Sequence, residues 1–113
     1  MNTDLEYSSF QKLPTYRYIR VADKVPTYDQ IAEVKDPLLL VRLFNPGGQG
    51  TWWIASYDPD TRIAFGVAKI QELEIGYFSM AELVDLRGGS GLPIERDLYW
   101  QSQPISAIIA EGR

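Results

Sequence analysis

Apolar side chains run almost unbroken from 38 to 44, with Arg42 the single charge among them, as in a central strand covered on both faces. A second strand run, 51–57, ends at Asp58-Pro59-Asp60-Thr61, where aspartate followed by proline suits a type I turn. The chain returns through 62–69, alternating Ile63, Phe65 and Val67 with Ala64, Gly66 and Ala68. So short a connection forces the two runs to pair antiparallel. The small side chains of the returning run leave space for something bulky, and Trp52 or Trp53 across the hairpin has the size to fill it. A tryptophan packed in the core is the plain reading; an aromatic-walled groove is the functional one.

The stretch 74–100 carries the clearest local signals. After a strand at 75–78, Ser79 and Glu82 have the spacing of a capping box, and Phe78 with Leu83 that of a hydrophobic staple. Met80, Leu83 and Leu86 or Arg87 recur at helical spacing, and Gly88 ends the pattern, which predicts a helix over 79–87. Gly88-Gly89-Ser90-Gly91 is a turn, and Pro93 leads into a strand over 94–101. Alternation puts Ile94, Arg96, Leu98 and Trp100 on one face, with Glu95, Asp97, Tyr99 and Gln101 on the other. Arg96 in an apolar row needs a carboxylate, for which Glu74 and Glu82 are the candidates. Short helices are expected at 26–36, with Thr27 as N-cap, Asp29 in the first turn and Pro37 closing it, and at 105–110. The fold class is therefore α+β: a mostly antiparallel meander of 38–45, 51–58, 62–69 and 75–78, joined by 94–101. One main helix covers one face, with short terminal helices besides.

Residues 1–25 form an N-terminal aromatic and basic segment packed on a single domain spanning 26–113. Tyr7, Phe10, Tyr16 and Tyr18 interleave with Lys12, Arg17, Arg20 and Lys24, giving the segment +1 against −5 for the rest. Such aromatics can stack on single-stranded bases, but one excess charge is a poor electrostatic funnel, and packing of a peripheral strand is the plainer reading. With 113 residues, 45% of them hydrophobic, the chain suits one core. The N-terminus has no apolar signal segment, and the longest purely apolar run, 38–41, is far too short for a membrane. A cytoplasmic protein is expected.

Histidine and cysteine are both absent. That removes the usual general base near neutral pH, the commonest metal ligand and every Ser-His or Cys-His arrangement, so no cofactor and no metal are expected. The loop Asn45-Pro46-Gly47-Gly48-Gln49-Gly50 is rich enough in glycine to cradle phosphate, yet Thr51-Trp52 follows where a P-loop needs Lys-Ser/Thr. Asp58 and Asp60 could ligate magnesium, although turn aspartates usually cap their own backbone. The net charge of −4 disfavours broad nucleic-acid binding.

The runs LVRLFNPGGQGTWWIASYDPDTRIAFGVA, ELEIGYFSMAELVDLRGGSGLPIERDLYW and QPISAII resemble the domain-of-unknown-function family 2958, over about 36–109. The specific matches are Gly76-Tyr77-Phe78-Ser79, Glu82-Leu83, Leu86-Arg87-Gly88 and Leu92 to Tyr99; the segment before Pro26 and the glycine-rich loop depart from the pattern. The resemblance implies a small protein encoded on bacterial mobile elements, plasmids or phages, and implies no activity. Two functions compete. One is a non-catalytic accessory protein, counter-defence being one such role, that binds another protein through Trp52, Trp53, Tyr16 and Tyr18. The other is an enzyme using Glu95, Asp97, Arg87 and Arg96, with or without magnesium. Single-stranded nucleic-acid binding is a minor third.

Overall fold

The structure, a computed structural model, describes residues 3–10, 13–89 and 91–112. Lys12 of the interleaved basic set and Ser90 of the glycine-rich turn lie outside them. Nine strands, three α-helices and two 3₁₀ turns (Pro14–Tyr16 and Val21–Asp23) are described, the strands and α-helices being β1 (Asp4–Tyr7), β2 (Arg17–Arg20), α1 (Tyr28–Ile31), β3 (Leu38–Leu39), β4 (Val41–Phe44), β5 (Thr51–Asp58), β6 (Ile63–Lys69), β7 (Leu73–Ser79), α2 (Met80–Leu83), β8 (Glu95–Arg96), β9 (Gln103–Pro104) and α3 (Ile105–Glu111).

The centre is a five-stranded antiparallel sheet in the order β7-β6-β5-β4-β8. The expected meander is present, with the 94–101 segment joining its far edge beside β4. β5 and β6 are hairpin partners, and the turn between them is tied as its aspartate predicts: Asp58 Oδ1 accepts the Asp60 N–H at 2.8 Å, and Asp58 O accepts the Arg62 N–H at 2.7 Å. Arg62 takes up the left-handed conformation at φ 61°, so the returning strand starts one residue later than the alternation suggests.

A bulge interrupts the β5–β6 register: Ile54 faces Gly66 and Ser56 faces Phe65, leaving Ala55 as the extra residue. Before it, Trp52 and Ile54 point to one face and Trp53 to the other; beyond it, Tyr57 rather than Ser56 continues the first face. That face packs on Tyr18 and Ile19 of β2, Met80 and Leu83 of α2, and Ile94. The opposite face, with Trp53, Ala55 and Val67, packs on Leu39 and on Ile105 and Ile108 of α3. Trp52 lies directly across from Ala68, occupying the space that the small-residue row of β6 leaves.

Several elements differ from the sequence-based boundaries. The 38–45 run is divided: β3 leaves the main sheet to pair with β9, and β4 alone enters it. The helix expected over 79–87 is α-helical only at Met80–Leu83, so it is not the main helix; α3 is longer. Ser79 does cap it, its hydroxyl accepting the Glu82 N–H at 3.2 Å, but the chain then tightens, with the Asp85 and Leu86 N–H groups donating to the carbonyls three residues back. The strand expected over 94–101 pairs only at Glu95–Arg96. It stops because Asp97 Oδ1 accepts the Tyr99 N–H at 2.9 Å, an Asx turn that takes the chain away from the sheet. Leu98 is accordingly half exposed instead of buried in line with Ile94. The helix expected at 26–36 is a single turn, closed on itself by Gln30 Oε1 accepting the Thr27 N–H at 2.9 Å.

Candidate functional site

Three of the four charged groups singled out around 87–97, namely Arg96, Asp97 and Arg87, have their own partners. Arg96 is 9% exposed and its fork meets Asp23, with Nη1 and Nη2 at 2.5 and 2.8 Å from the two carboxylate oxygens; Nη1 also donates to Tyr18 O at 3.2 Å. The shielding and the acidic partner are as alternation predicts, but the partner is Asp23, not Glu74 or Glu82. β2 crosses the end of β8 and delivers Asp23 in the single 3₁₀ turn that follows it. Burial pushes the Asp23 carboxyl upward, but hydrogen bonds from Arg96 and Arg20 outweigh it and draw its pKa down to about 2. Asp97 pairs with Arg42 at 3.2 Å, across the strand end where β8 leaves β4. Arg87 stacks on Phe10, its guanidinium carbon 3.7 Å from the ring centre. Glu95 sits opposite Phe44 at the sheet edge. Arg96, Asp97 and Arg87 are thus engaged with separate partners, and among the described residues no group of three or more acids forms a metal-sized cluster.

A second buried carboxylate, unmarked in the sequence, is structural in the same way. Glu6 is 2% exposed and accepts three hydrogen bonds: Tyr57 Oη at 2.5 Å, Arg62 Nε at 2.9 Å and Arg62 Nη2 at 2.8 Å. Burial, then the hydrogen bond to Glu6, raises the Tyr57 phenol above its ordinary range. Burial likewise pushes Tyr18 up to about 12; its hydroxyl donates to Ile94 O at 2.6 Å.

The aromatics expected to contact a partner are interior residues. Tyr16 is 8% exposed, Tyr18 0%, Trp52 5% and Trp53 1%. Large rings remove the most apolar area from water, and the two-layer cover of the sheet gives them that opportunity. A contact surface must therefore be made from other side chains, and stacking of bases on Tyr16 and Tyr18 has no exposed ring to use.

Such a surface exists at the other end of the sheet. Phe65 of β6, Tyr77 of β7 and Tyr28 of α1 form a triangle of rings with centres 5.0 to 5.5 Å apart. Tyr77 is 62% exposed, with Tyr28, Ile75, Val34 and Ile109 each exposed by 40% or more. Between α1 and α3 all of these side chains but Tyr77 border a groove of about 380 Å³, together with Ile31 and Ile105; Tyr77 lies beside it, against Tyr28 and Phe65. A hydrogen bond with Tyr28 holds the Tyr77 phenol above its ordinary range. β7 also ends the main sheet, its outer edge unpaired in the strand order of the described residues. The signal for this surface was slight: Ile75 and Tyr77 alternate in a strand, and only the placement of α1 and α3 leaves them uncovered.

Comparison with known sequences gives a class and no activity. The model of the family described as "Protein of unknown function (DUF2958)" matches residues 20–113. The chain belongs to that family. The match begins earlier than the motif resemblance and takes in Asp23, so the Asp23–Arg96 pair lies wholly within the family region. No curated protein and no solved structure matches the chain. No helix among the described residues is long and apolar enough to cross a membrane.

Proposed function

We propose that this is a non-catalytic, cytoplasmic accessory protein of a mobile genetic element that works by docking on another protein through the α1–α3 groove and the β7 edge. The observation that carries the reading is the exposed aromatic triangle beside an apolar groove and an unpaired strand edge. A patch of this kind is costly to leave in water unless it is covered in use. The fitting occupant is an extended protein segment: its backbone would add to β7, and alternate apolar side chains would enter the groove between Ile31 and Ile109. The motif resemblance supports the mobile-element setting, and counter-defence against a host system is one role consistent with it.

Ile109→Asp places charge in the groove and Tyr77→Asp places it beside the groove; both side chains are partly exposed, and losing their apolar contacts should cost about 1–2 kcal/mol, which leaves the fold intact. Each is expected to weaken capture of the host protein bound by wild type at least about tenfold, and to abolish the element's phenotype. Tyr99→Ser, at a residue 93% exposed outside the groove, should leave both unchanged. If both groove variants keep capture and phenotype, the docking surface is elsewhere. If Glu95→Gln/Asp97→Asn alone loses the phenotype while folded, the enzymatic reading replaces this one.

A further inference from the structure

The glycine-rich loop 45–50 borders a second cavity that shares no lining residue with the groove. Strand register explains who meets there. Trp53 lies across from Arg42, and Thr51 across from Lys69, so residues from β4, β5 and β6 share one face at the loop end of the sheet. The cavity is about 360 Å³, and Arg42, Gly48, Gly50, Trp53 and Lys69 are in its wall. No acidic residue is among the described residues that line it. Two cations thus face one cavity in a chain of net charge −4; Asp97 holds one end of the Arg42 guanidinium from outside the wall.

The wall also holds the two buried side-chain donors that have no acceptor among the described residues, Arg42 Nε and Trp53 Nε1. Trp53 is 1% exposed, so bulk water does not satisfy its indole N–H. An unmet buried donor is disfavoured strongly enough that such atoms are rare in folded proteins. Neighbouring donors are accounted for. Trp100 Nε1 donates to Leu39 O at 2.9 Å, and Lys69 Nζ donates to Gly112 O at 2.9 Å, which leaves the ammonium further protons. One terminal nitrogen of Arg42 is on Asp97, which fixes the guanidinium at the cavity wall with Nε unused. The loop itself is held by Asn45, whose side chain accepts the Gly47 N–H at 3.0 Å and donates to Gln49 O at 3.0 Å.

We propose that this cavity binds the phosphate group of a small phosphorylated ligand, with Arg42 Nε, the Trp53 indole N–H and the Lys69 ammonium as its donors. The donors come from three adjacent strands whose register puts their side chains on one face, against one cavity. The P-loop lysine missing from the sequence after Gly50 is replaced in space by Lys69, one strand over. Both N–H groups are shielded, so binding requires the Arg42 guanidinium to shift over the Trp53 ring while it keeps Asp97, and the cavity has volume left for the group that carries the phosphate.

The three tryptophans give the test its reporter, since each indole N–H has its own amide-region NMR signal. Wild type is titrated with inorganic phosphate at constant ionic strength, with chloride and acetate as controls and phenyl phosphate as a phosphomonoester. The Trp53 indole signal is expected to shift saturably with phosphate while the Trp100 signal stays in place. Lys69→Gln should weaken the phosphate response about tenfold, and Arg42→Gln by at least as much. Lys69 is at the surface, so its variant decides the matter should Arg42→Gln fold poorly; unmoved Trp52 and Trp100 signals certify the fold. Tighter binding of phenyl phosphate assigns the site to an ester, and equal binding to free phosphate. A Trp53 signal that ignores phosphate, that follows chloride or acetate equally, or that responds undiminished in Lys69→Gln overturns the site.

Discussion

Gly66→Ala is expected to destabilise the protein by more than about 3 kcal/mol, enough to unfold it if its stability is ordinary, whereas Gly76→Ala is expected to be nearly silent. The two glycines are direct partners across β6 and β7, Gly66 on an interior strand and Gly76 on the edge strand. Their surroundings are opposite. A Cβ on Gly66 would lie 1.9 Å from Trp53 O, 2.9 Å from Trp53 C and 3.2 Å from Ala55 N. All three atoms are backbone of the β5 bulge, which cannot move aside without breaking the hairpin ladder. A Cβ on Gly76 would meet nothing within 4 Å. Losing glycine there should shift stability by about 0.5 kcal/mol at most, favourably if the less flexible unfolded chain dominates. Urea denaturation of both variants checks the pair. A Gly66→Ala protein within about 1 kcal/mol of wild type would mean that the bulge relaxes, and that Ala55 is not pinned between the strands.

The same bulge shows where sequence reasoning reaches and where it stops. The hairpin was legible because Asp58-Pro59 carries its turn chemistry within a few residues, and alternation on 63–69 carries its faces. The bulge was not, because an extra residue at Ala55 leaves no mark in a run that lacks apolar–polar alternation. It decides that Tyr57, not Ser56, points toward Glu6, and so places the Glu6–Tyr57–Arg62 cluster. The capped start of α2 was likewise readable from Ser79 and Glu82, while its early end was not, since the i to i−3 bonding after Glu82 is set by the turn into β8. Asp97 did carry a readable signal: an aspartate two residues before Tyr99 favours the Asx turn that ends the strand.

For the candidate sites, the limit is one of distance along the chain. Aromatic residues can be counted in a sequence, but whether a ring is covered depends on elements far away. Tyr18 is buried because β2 packs against β4, β8 and the α2 side chains, and Tyr16 because the 3₁₀ turn that leads into β2 lies against β8. Tyr77 is exposed because α1 and α3 flank its face without closing over it. The glycine-rich loop failed the P-loop pattern on a local criterion, the residue after Gly50. The cations that face it, Arg42 and Lys69, are brought there by register across three strands.

Asp23→Asn is the other substitution expected to act strongly, at about 3–5 kcal/mol. Arg96 would keep its charge, 9% exposed, with only the Tyr18 carbonyl and a neutral amide to meet its fork. Arg96→Met should cost less, because the Asp23 carboxylate left behind still has Arg20 Nη2 at 2.9 Å and the Arg20 N–H at 2.8 Å. Asp23→Asn/Arg96→Met should recover part of the loss of Asp23→Asn alone, since no unpaired cation is then buried. The pH dependence gives an independent check. The folded-state pKa of Asp23 is depressed from 3.8 to about 2, so its ionisation stabilises the fold fully above about pH 5. That contribution, about 2 kcal/mol, is lost as pH falls from about 4 through 2. Urea midpoints at pH 7, 4 and 2.5 should therefore show the gap between wild type and Asp23→Asn narrowing steadily toward acid. A gap of constant size across that range would mean that Asp23 holds Arg96 by shape alone, without its charge.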